Sequence, residues 1–315
     1  LCGCPERPEF AKEMSATIAS LKLHPTKPDW SAGINDTWSP GAASAKDCLH
    51  KFLDSHLENY SETRDRPDKD QTSRLSPYLA FGEISPHYIW SVTKSRIDEY
   101  PELEKGGWSF LRELAWRDFS YSLLFQSRNL AEENWNSRFD DFGWTADQSG
   151  FAAWKAGRTG YPIVDAGMRQ LWHTGWMHNR VRMVVASFLV KHLRINWREG
   201  EKWFWDTLVD ADSANNPASW QWVAGSGADA APYFRIFNPM TQAEKFDPNG
   251  EYIRRWVPEL RKLPTKYLSA PWTAPASVLT ASGVRLGKDY PHPVVDHKSA
   301  RESALAAYEN TQKAS

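Results

Sequence analysis

Cysteine is nearly missing from this 315-residue sequence; Cys2, Cys4 and Cys48 are the whole supply. Three thiols make no disulfide framework, and Cys2 and Cys4 have no His or Cys pair nearby to complete a zinc site. A reducing, cytoplasmic setting is expected. No apolar run reaches membrane-spanning length and no signal-peptide pattern opens the chain, so no membrane partner is expected. The net charge is −1, and bulk electrostatics therefore singles out no partner. No segment alternates polar and apolar residues convincingly enough for a strand, and nothing repeats. No G-x-G-x-x-G follows a strand and no G-x-x-x-x-G-K-[ST] occurs, which argues against a nucleotide held in the Rossmann or P-loop manner. The sequence opens on Leu1 rather than Met, so a preceding part is expected to be missing.

Aromatic residues are what the chain has in excess. It carries 17 tryptophans and 13% Phe, Trp and Tyr. Such a set can form a Trp-rich core, a stacking surface for flat ligands, or a redox path. Hydrophobic spacing at three and four residues predicts helices over 42–60, 85–99, 108–125, 151–156, 161–173, 183–193, 199–209, 251–260 and 299–311. Loops are predicted over 61–71 and 232–250. The fold class is therefore all-α, with residues 1–40 as an irregular linker and 41–315 as one helical domain. Between Lys155 and Lys202 nine Lys/Arg (155, 158, 169, 180, 182, 191, 194, 198, 202) face three Asp/Glu (165, 199, 201), which suggests a basic face.

Several short groupings have chemistry in them. Thr72, Ser73, Arg74, Leu75 and Ser76 put hydroxyls, backbone N–H groups and a cation at one helix start, which suits a pyrophosphate or, more plainly, an ordinary N-cap. Asn179, Arg182 and Met183 share one face of a helix while Arg180 points elsewhere, so one guanidinium can meet an internal anion and the other an external phosphate. Asp206, Asp210 and Asp212 with Asn215 and Asn216 could ligate Mg²⁺, hydrogen-bond a heteroaromatic ring, or end a helix in solvent. Asp210 can also pair with Arg182. Glu113, Trp116 and Arg117 fall on one helical face, as a base-binding group or as an i, i+4 ion pair beside an indole.

The blocks TSRLSPYLAFG, ELAWRDF, GRTGYPIVDAGMRQL, TGWMHNRVRMVVASFLVKHL, WREGEKWFWDTLVDADSANN, WQWVAGSGADAAPYFRIFNP and FDPNGEYIRRWVPEL occur in that order. Together they resemble the helical, FAD-binding domain of the photolyase/cryptochrome family, from about residue 60 to 307. Within the family the pocket residues look like those of class I or class III cyclobutane pyrimidine dimer photolyases. The resemblance implies light-driven repair of those dimers in DNA by electron transfer from reduced, anionic FAD. It implies that Tyr60 and Thr72, Ser73, Arg74, Leu75 and Ser76 hold the phosphates and ribityl region, and that Asn179, Arg182, Asp210, Asp212 and Asn216 line the flavin. It further implies an electron chain of Trp220, Trp197 and Trp144, and lesion and DNA contacts from Glu113, Trp116, Arg117, Asn179, Arg180, Met183, Trp222 and Gln242. Asn216, Trp116 and Met183 are the residue types of the repair branch; plant-type cryptochromes usually carry Asp at the first of these and lack the other two. Met177-His178-Asn179 departs from the His-His pair of (6–4) photolyases, while Ser213 and Pro217 depart from common class I residues. The family's N-terminal antenna domain is not in the sequence, so residues 1–40 are expected to be the linker after it, with no antenna site. No metal is implied, the chain is expected to be a monomer on damaged DNA, and a cryptochrome-like FAD photoreceptor is the alternative.

Overall fold

The computed structural model describes residues 16–229 and 234–313; Cys2 and Cys4 lie outside them. The chain divides into two compact units, one over residues 1–39 and one over 40–315. The first holds a 3-10 turn at Ile18–Leu21 and the helix α1, Ala32–Thr37. Its Ser31 accepts a backbone bond from Asn35 and donates from its hydroxyl to Asp29.

The second unit is helical throughout its described residues. In order come α2 (Ala42–Ser55), α3 (Tyr60–Thr63), α4 (Ser76–Ala80), α5 (Pro86–Glu99), α6 (Glu104–Gln126), α7 (Gln148–Lys155), α8 (Pro162–Thr174) and α9 (Asn179–Ser187). They are followed by α10 (Trp197–Thr207), α11 (Asn215–Ala224), α12 (Pro239–Phe246), α13 (Glu251–Trp256), α14 (Thr265–Leu268), α15 (Ala276–Ser282) and α16 (His297–Lys313). Among the described residues extended pairing is limited to isolated bridges, Thr145 with Ile195 and Leu286 with Tyr290. No helix is long and apolar enough to cross a membrane.

The expected helices form, with ends set by local chemistry. Pro86 and Pro162 start α5 and α8, where the missing N–H costs nothing. Gly175, at φ +65°, ends α8 in the left-handed conformation that favours glycine. The run predicted over 183–193 is regular only as α9; Phe188–His192 widens into a π-helical turn. Two helices were not expected. Pro239–Phe246 sits inside the predicted loop, capped by Asn238, whose side chain accepts from Met240 and Thr241 N–H. Asn215–Ala224 follows the acidic pair.

Two apolar cores hold the elements together. Leu49, Phe52, Leu57, Ile89, Phe110 and Leu111 join α2, α5 and α6. A larger core around α8, α9 and the π turn includes Trp154, Val185, Phe188, Trp197 and Trp220. Burying each such side chain contributes about 1.5–3 kcal/mol. Much of the tryptophan excess is therefore core, although Trp116, Trp172 and Trp205 remain exposed.

The basic face does not form as the local count suggested. Lys191 is buried, donating to the Ala224 carbonyl at 2.8 Å with its Nζ 3.2 Å from the Phe234 ring centroid. Arg169, Arg180 and Arg182 pair with Glu259, Asp65 and Asp210, acids that lie 90, 115 and 28 residues away in sequence.

Candidate functional site

The segment Thr72–Ser76 is placed by Trp176. Its indole Nε1 donates to Ser76 Oγ at 3.2 Å, and the Arg74 guanidinium lies 5.2 Å from its ring centroid. Arg74 takes φ +49°, a strained conformation for a side-chain-bearing residue, and pairs with Asp70 at 2.9 Å. The ordinary N-cap is not what this segment makes. Leu75 occupies the cap position of α4, and no side chain caps it. The Ser73 carbonyl accepts from Cys48 Sγ, which ties the segment to α2. Tyr60 is buried edge-on against Phe52 and Phe110, at 5.3 and 5.7 Å, and burial pushes its phenol well above the ordinary range.

At the start of α9 the two arginines part as the helical geometry requires. Arg182 donates from Nη2 to Asp210 Oδ2 at 2.7 Å and from Nε to the Met177 carbonyl at 2.7 Å. Its guanidinium is also 6.0 Å from the Trp176 ring, so Trp176 joins this pair to the 72–76 segment. Arg180 makes a two-pronged pair with Asp65, Nε to Oδ1 at 3.2 Å and Nη2 to Oδ2 at 2.7 Å. His178 Nδ1 accepts the Arg180 N–H and caps the helix. Burial holds that imidazole neutral, its pKa lowered to about 4. Asn179 is exposed, and Met183 is half-buried.

Asp212 and Asn216 share the start of α11. Asp212 Oδ1 accepts from Ala214 N, Asn215 N and Asn215 Nδ2, at 2.9, 2.7 and 3.0 Å, so one of its oxygens acts as a helix cap. Its Oδ2 accepts from Tyr121 at 2.6 Å, and these bonds lower its pKa although burial opposes them. Asn216 Nδ2 donates to the backbone and side chain of Glu201, at 3.2 and 2.9 Å, a buried carboxyl that desolvation shifts upward. With Asp210 on Arg182 and Asp212 on its cap, no convergent set remains for Mg²⁺. Among the described residues no group of three or more His, Cys, Asp or Glu could hold a metal ion.

The three indoles named for electron transfer lie in an ordered succession. Trp220 is buried, with Phe204 and Trp154 edge-on at 5.0 and 6.3 Å. A Cβ at Gly200 of α10 would fall 2.2 Å from Trp220 Cη2, so α10 and this ring meet at a glycine. Trp197 begins α10, fully buried, its Nε1 donating to Asn134 at 2.8 Å. Trp144 is half-buried next to the bridge residue Thr145, whose N–H donates to Arg194 three residues before Trp197. Exposure thus rises from Trp220 and Trp197 to Trp144.

The expected lesion contacts do not gather on one surface hollow. Glu113 pairs with Arg64, not with Arg117 as helical spacing allowed. Arg117 instead stacks 4.6 Å from the Tyr121 ring. Trp116 is 53% exposed beside Phe119, open to a stacking partner. A cavity of about 540 Å³ is lined by Arg180, Asp65, Gln242, Arg235, Lys245 and Arg301, among others. Trp222 lines a smaller one of about 130 Å³ with Lys191 and Tyr308. Arg182, Asp210 and Asn216 line neither. Asp65, Trp176, Glu201 and Tyr121 went unnoticed in the sequence. Only Trp176 gave a local signal, as an indole directly before the Met-His-Asn-Arg run.

Residues 110–310 match the model of the FAD binding domain of DNA photolyase. The chain belongs to this family. It is 57% identical over 301 residues to a deoxyribodipyrimidine photo-lyase of Agrobacterium fabrum, covering 95% of this chain and 62% of that protein. It is 43% identical to cryptochrome-2 of Arabidopsis thaliana, covering 89% of this chain and 47% of that one. The fold superposes on a bacterial class III photolyase from Agrobacterium tumefaciens with a TM-score of 0.91, at 57% identity, over 95% of this chain and 62% of that one. A Synechocystis cryptochrome follows at 0.81 and 37% identity, over 86% and 56%. The chain therefore spans less than two thirds of the length of these relatives.

The photolyase family implies FAD, and the interior has the vacant hydrogen-bonding capacity such a ligand needs. Ser61 Oγ, Gln71 Oε1, His178 Nε2 and Asp210 Oδ1 are buried and have no partner within the chain. Each is one of the expected cofactor positions or its immediate neighbour. An unpartnered buried polar atom costs about 1–3 kcal/mol, so four around one region fit a polar ligand.

Proposed function

We propose that this chain is the flavin-binding catalytic part of a light-dependent photolyase that repairs cyclobutane pyrimidine dimers in DNA, acting as a monomer. The observation that carries the reading is the Arg182–Asp210 pair with Asp210 Oδ1 left unpartnered. A guanidinium beside a buried acceptor oxygen suits the donor and acceptor edge of a heteroaromatic ring. The 57% identity to a protein named deoxyribodipyrimidine photo-lyase supports it.

In this reading Tyr60 and Thr72–Ser76 would hold the FAD phosphates and ribityl chain, and Arg182, Asp210, Asp212 and Asn216 the ring. Reduced FAD supplies the light-excited electron donor. Glu201 fixes the Asn216 amide, which adds no negative charge beside the ring. Trp220 and Trp197 exclude water, and Trp144 extends the indole path toward solvent for resupply of electrons. Exposed Trp116 offers a stacking face to a flipped-out base, worth roughly 1–3 kcal/mol against a flipping cost of a few kcal/mol. Glu113, held by Arg64, is a hydrogen-bonding group beside it.

The test is illumination of the FAD-loaded chain with an oligonucleotide carrying one thymine dimer. Recovery of thymine absorbance in light and not in darkness is the expected result. The 43% identity to a plant cryptochrome favours one other reading, a photoreceptor. Light-dependent flavin reduction without thymine recovery would select it.

A further inference from the structure

We propose that Asp65 is a specificity-determining clamp on Arg180; the proposal rests on the photolyase reading above. Arg180 and Asp65 both line the 540 Å³ cavity, whose other charged lining residues are Arg235, Lys245 and Arg301. Asp65 is the single acid among the lining residues, and it is fully committed to Arg180. Both carboxylate oxygens accept from the guanidinium, at 3.2 and 2.7 Å. Phe246 closes the other side, with the guanidinium 4.4 Å from its ring centroid. His178 fixes the backbone from which Arg180 projects. The cation is thus held in a fixed pose with its two-pronged face occupied.

A phosphate can engage that face only by displacing a carboxylate of the same shape and sign. Plain duplex leaves its phosphates outside the cavity, and Arg180 stays with Asp65. A flipped-out damaged dinucleotide carries its own phosphate inward, where Arg235 and Lys245 add attraction and the exchange becomes favourable. Asp65 therefore withholds one phosphate contact from undamaged DNA and releases it to damaged DNA. Discrimination arises from a built-in competitor rather than from an added contact.

One phosphate contact contributes about 0.9 to the slope of log affinity against log salt, and about eight-fold in affinity at roughly 0.1 M salt. The experiment measures binding of dimer-containing and undamaged oligonucleotides to the FAD-loaded chain across a salt series. It compares wild type, Asp65→Asn and Asp54→Asn, the last removing the same charge from the exposed pair with Arg96. Asp65→Asn is expected to tighten undamaged DNA about eight-fold, steepen its salt slope by about 0.9, and change damaged DNA much less. Asp54→Asn is expected to leave the ratio unchanged. Equal tightening of both DNAs, weakening of either, or the same effect from Asp54→Asn overturns the clamp. Asp65→Ser repeats the test with a second short polar side chain. If wild type fails to distinguish damaged from undamaged DNA, the photolyase reading falls. The clamp is then judged on the undamaged slope alone, and an unchanged slope in Asp65→Asn overturns it too.

Discussion

Gly200→Ala perturbs the molecule at the point where α10 touches the innermost indole. The added methyl would fall 2.2 Å from Trp220 Cη2 and 2.6 Å from Leu189 Cδ2, where ordinary contact begins at 3.4 Å. The ring must therefore retreat by about 1.2 Å. Phe204 and Trp154, both buried, block that retreat. Overpacking of this kind costs about 1–3 kcal/mol, against a gain of about 1 kcal/mol from replacing glycine inside a helix. The expected net loss is up to about 2 kcal/mol, a fall of roughly 2–4 °C in Tm for each kcal/mol. The displaced ring should also slow photoreduction of oxidised flavin. Thermal melts and flavin bleaching kinetics measure the two effects. The decisive comparison is the same substitution in a Trp220→Phe background, where the smaller ring leaves room and the Leu189 methyl can turn into it. Most of the penalty should vanish there, a coupling of about 1–2 kcal/mol. An equal penalty in both backgrounds would refute the claim that Gly200 is glycine for the sake of Trp220.

Trp220→Phe alone should slow flavin photoreduction while sparing repair by chain reduced beforehand; loss of both in equal measure contradicts its assignment to electron resupply. Trp116→Ala should weaken binding of dimer-containing DNA by roughly 1–3 kcal/mol and leave FAD content intact, and unchanged binding of damaged DNA would count against its stacking role. Burial, then the neighbouring Asp68 charge, raise the Asp247 carboxyl from 3.8 to about 6, against the pull of N–H bonds from Ile253 and Tyr252. A raised folded-state pKa means stability that is fully present below about 4 and is lost as pH rises through about 6, worth up to about 3 kcal/mol. His178 works the other way, since its lowered pKa adds stability as pH rises from about 4 toward the model value of 6.5. Urea unfolding of wild type and Asp247→Asn between pH 4 and 7 isolates the carboxyl, and parallel stability curves would show that it does not titrate.

Local features of the sequence carried most of the helices, because apolar spacing, Pro86 and Pro162 at helix starts and Gly175 at an end are statements about near neighbours. The Arg182–Asp210 pair was legible for the same reason: an interior guanidinium 28 residues before an acidic pair needs a partner. What escaped was settled by distant residues. Glu113 has Arg117 one turn away and chooses Arg64, 49 positions earlier. Asp212 reads as a ligand and spends an oxygen on capping a helix that polar Asn215-Asn216-Pro217 disguised. Asn238-Pro239 reads as a turn and is a cap followed by a first helical residue. Arg180 was taken as free for phosphate because nothing in the sequence announces Asp65.

The widened turn from Phe188 to His192 makes chain length a constraint in its own right. A π turn is an α-helix that accommodates one surplus residue. Deleting any of the five would let an uninterrupted spiral form at little local cost, yet everything downstream would swing round by about 100°. Lys191 would then leave the Ala224 carbonyl, and Trp197 would no longer arrive against Asn134. Substitutions at these positions disturb one neighbour at a time, whereas a single-codon loss would misalign two halves of the core together.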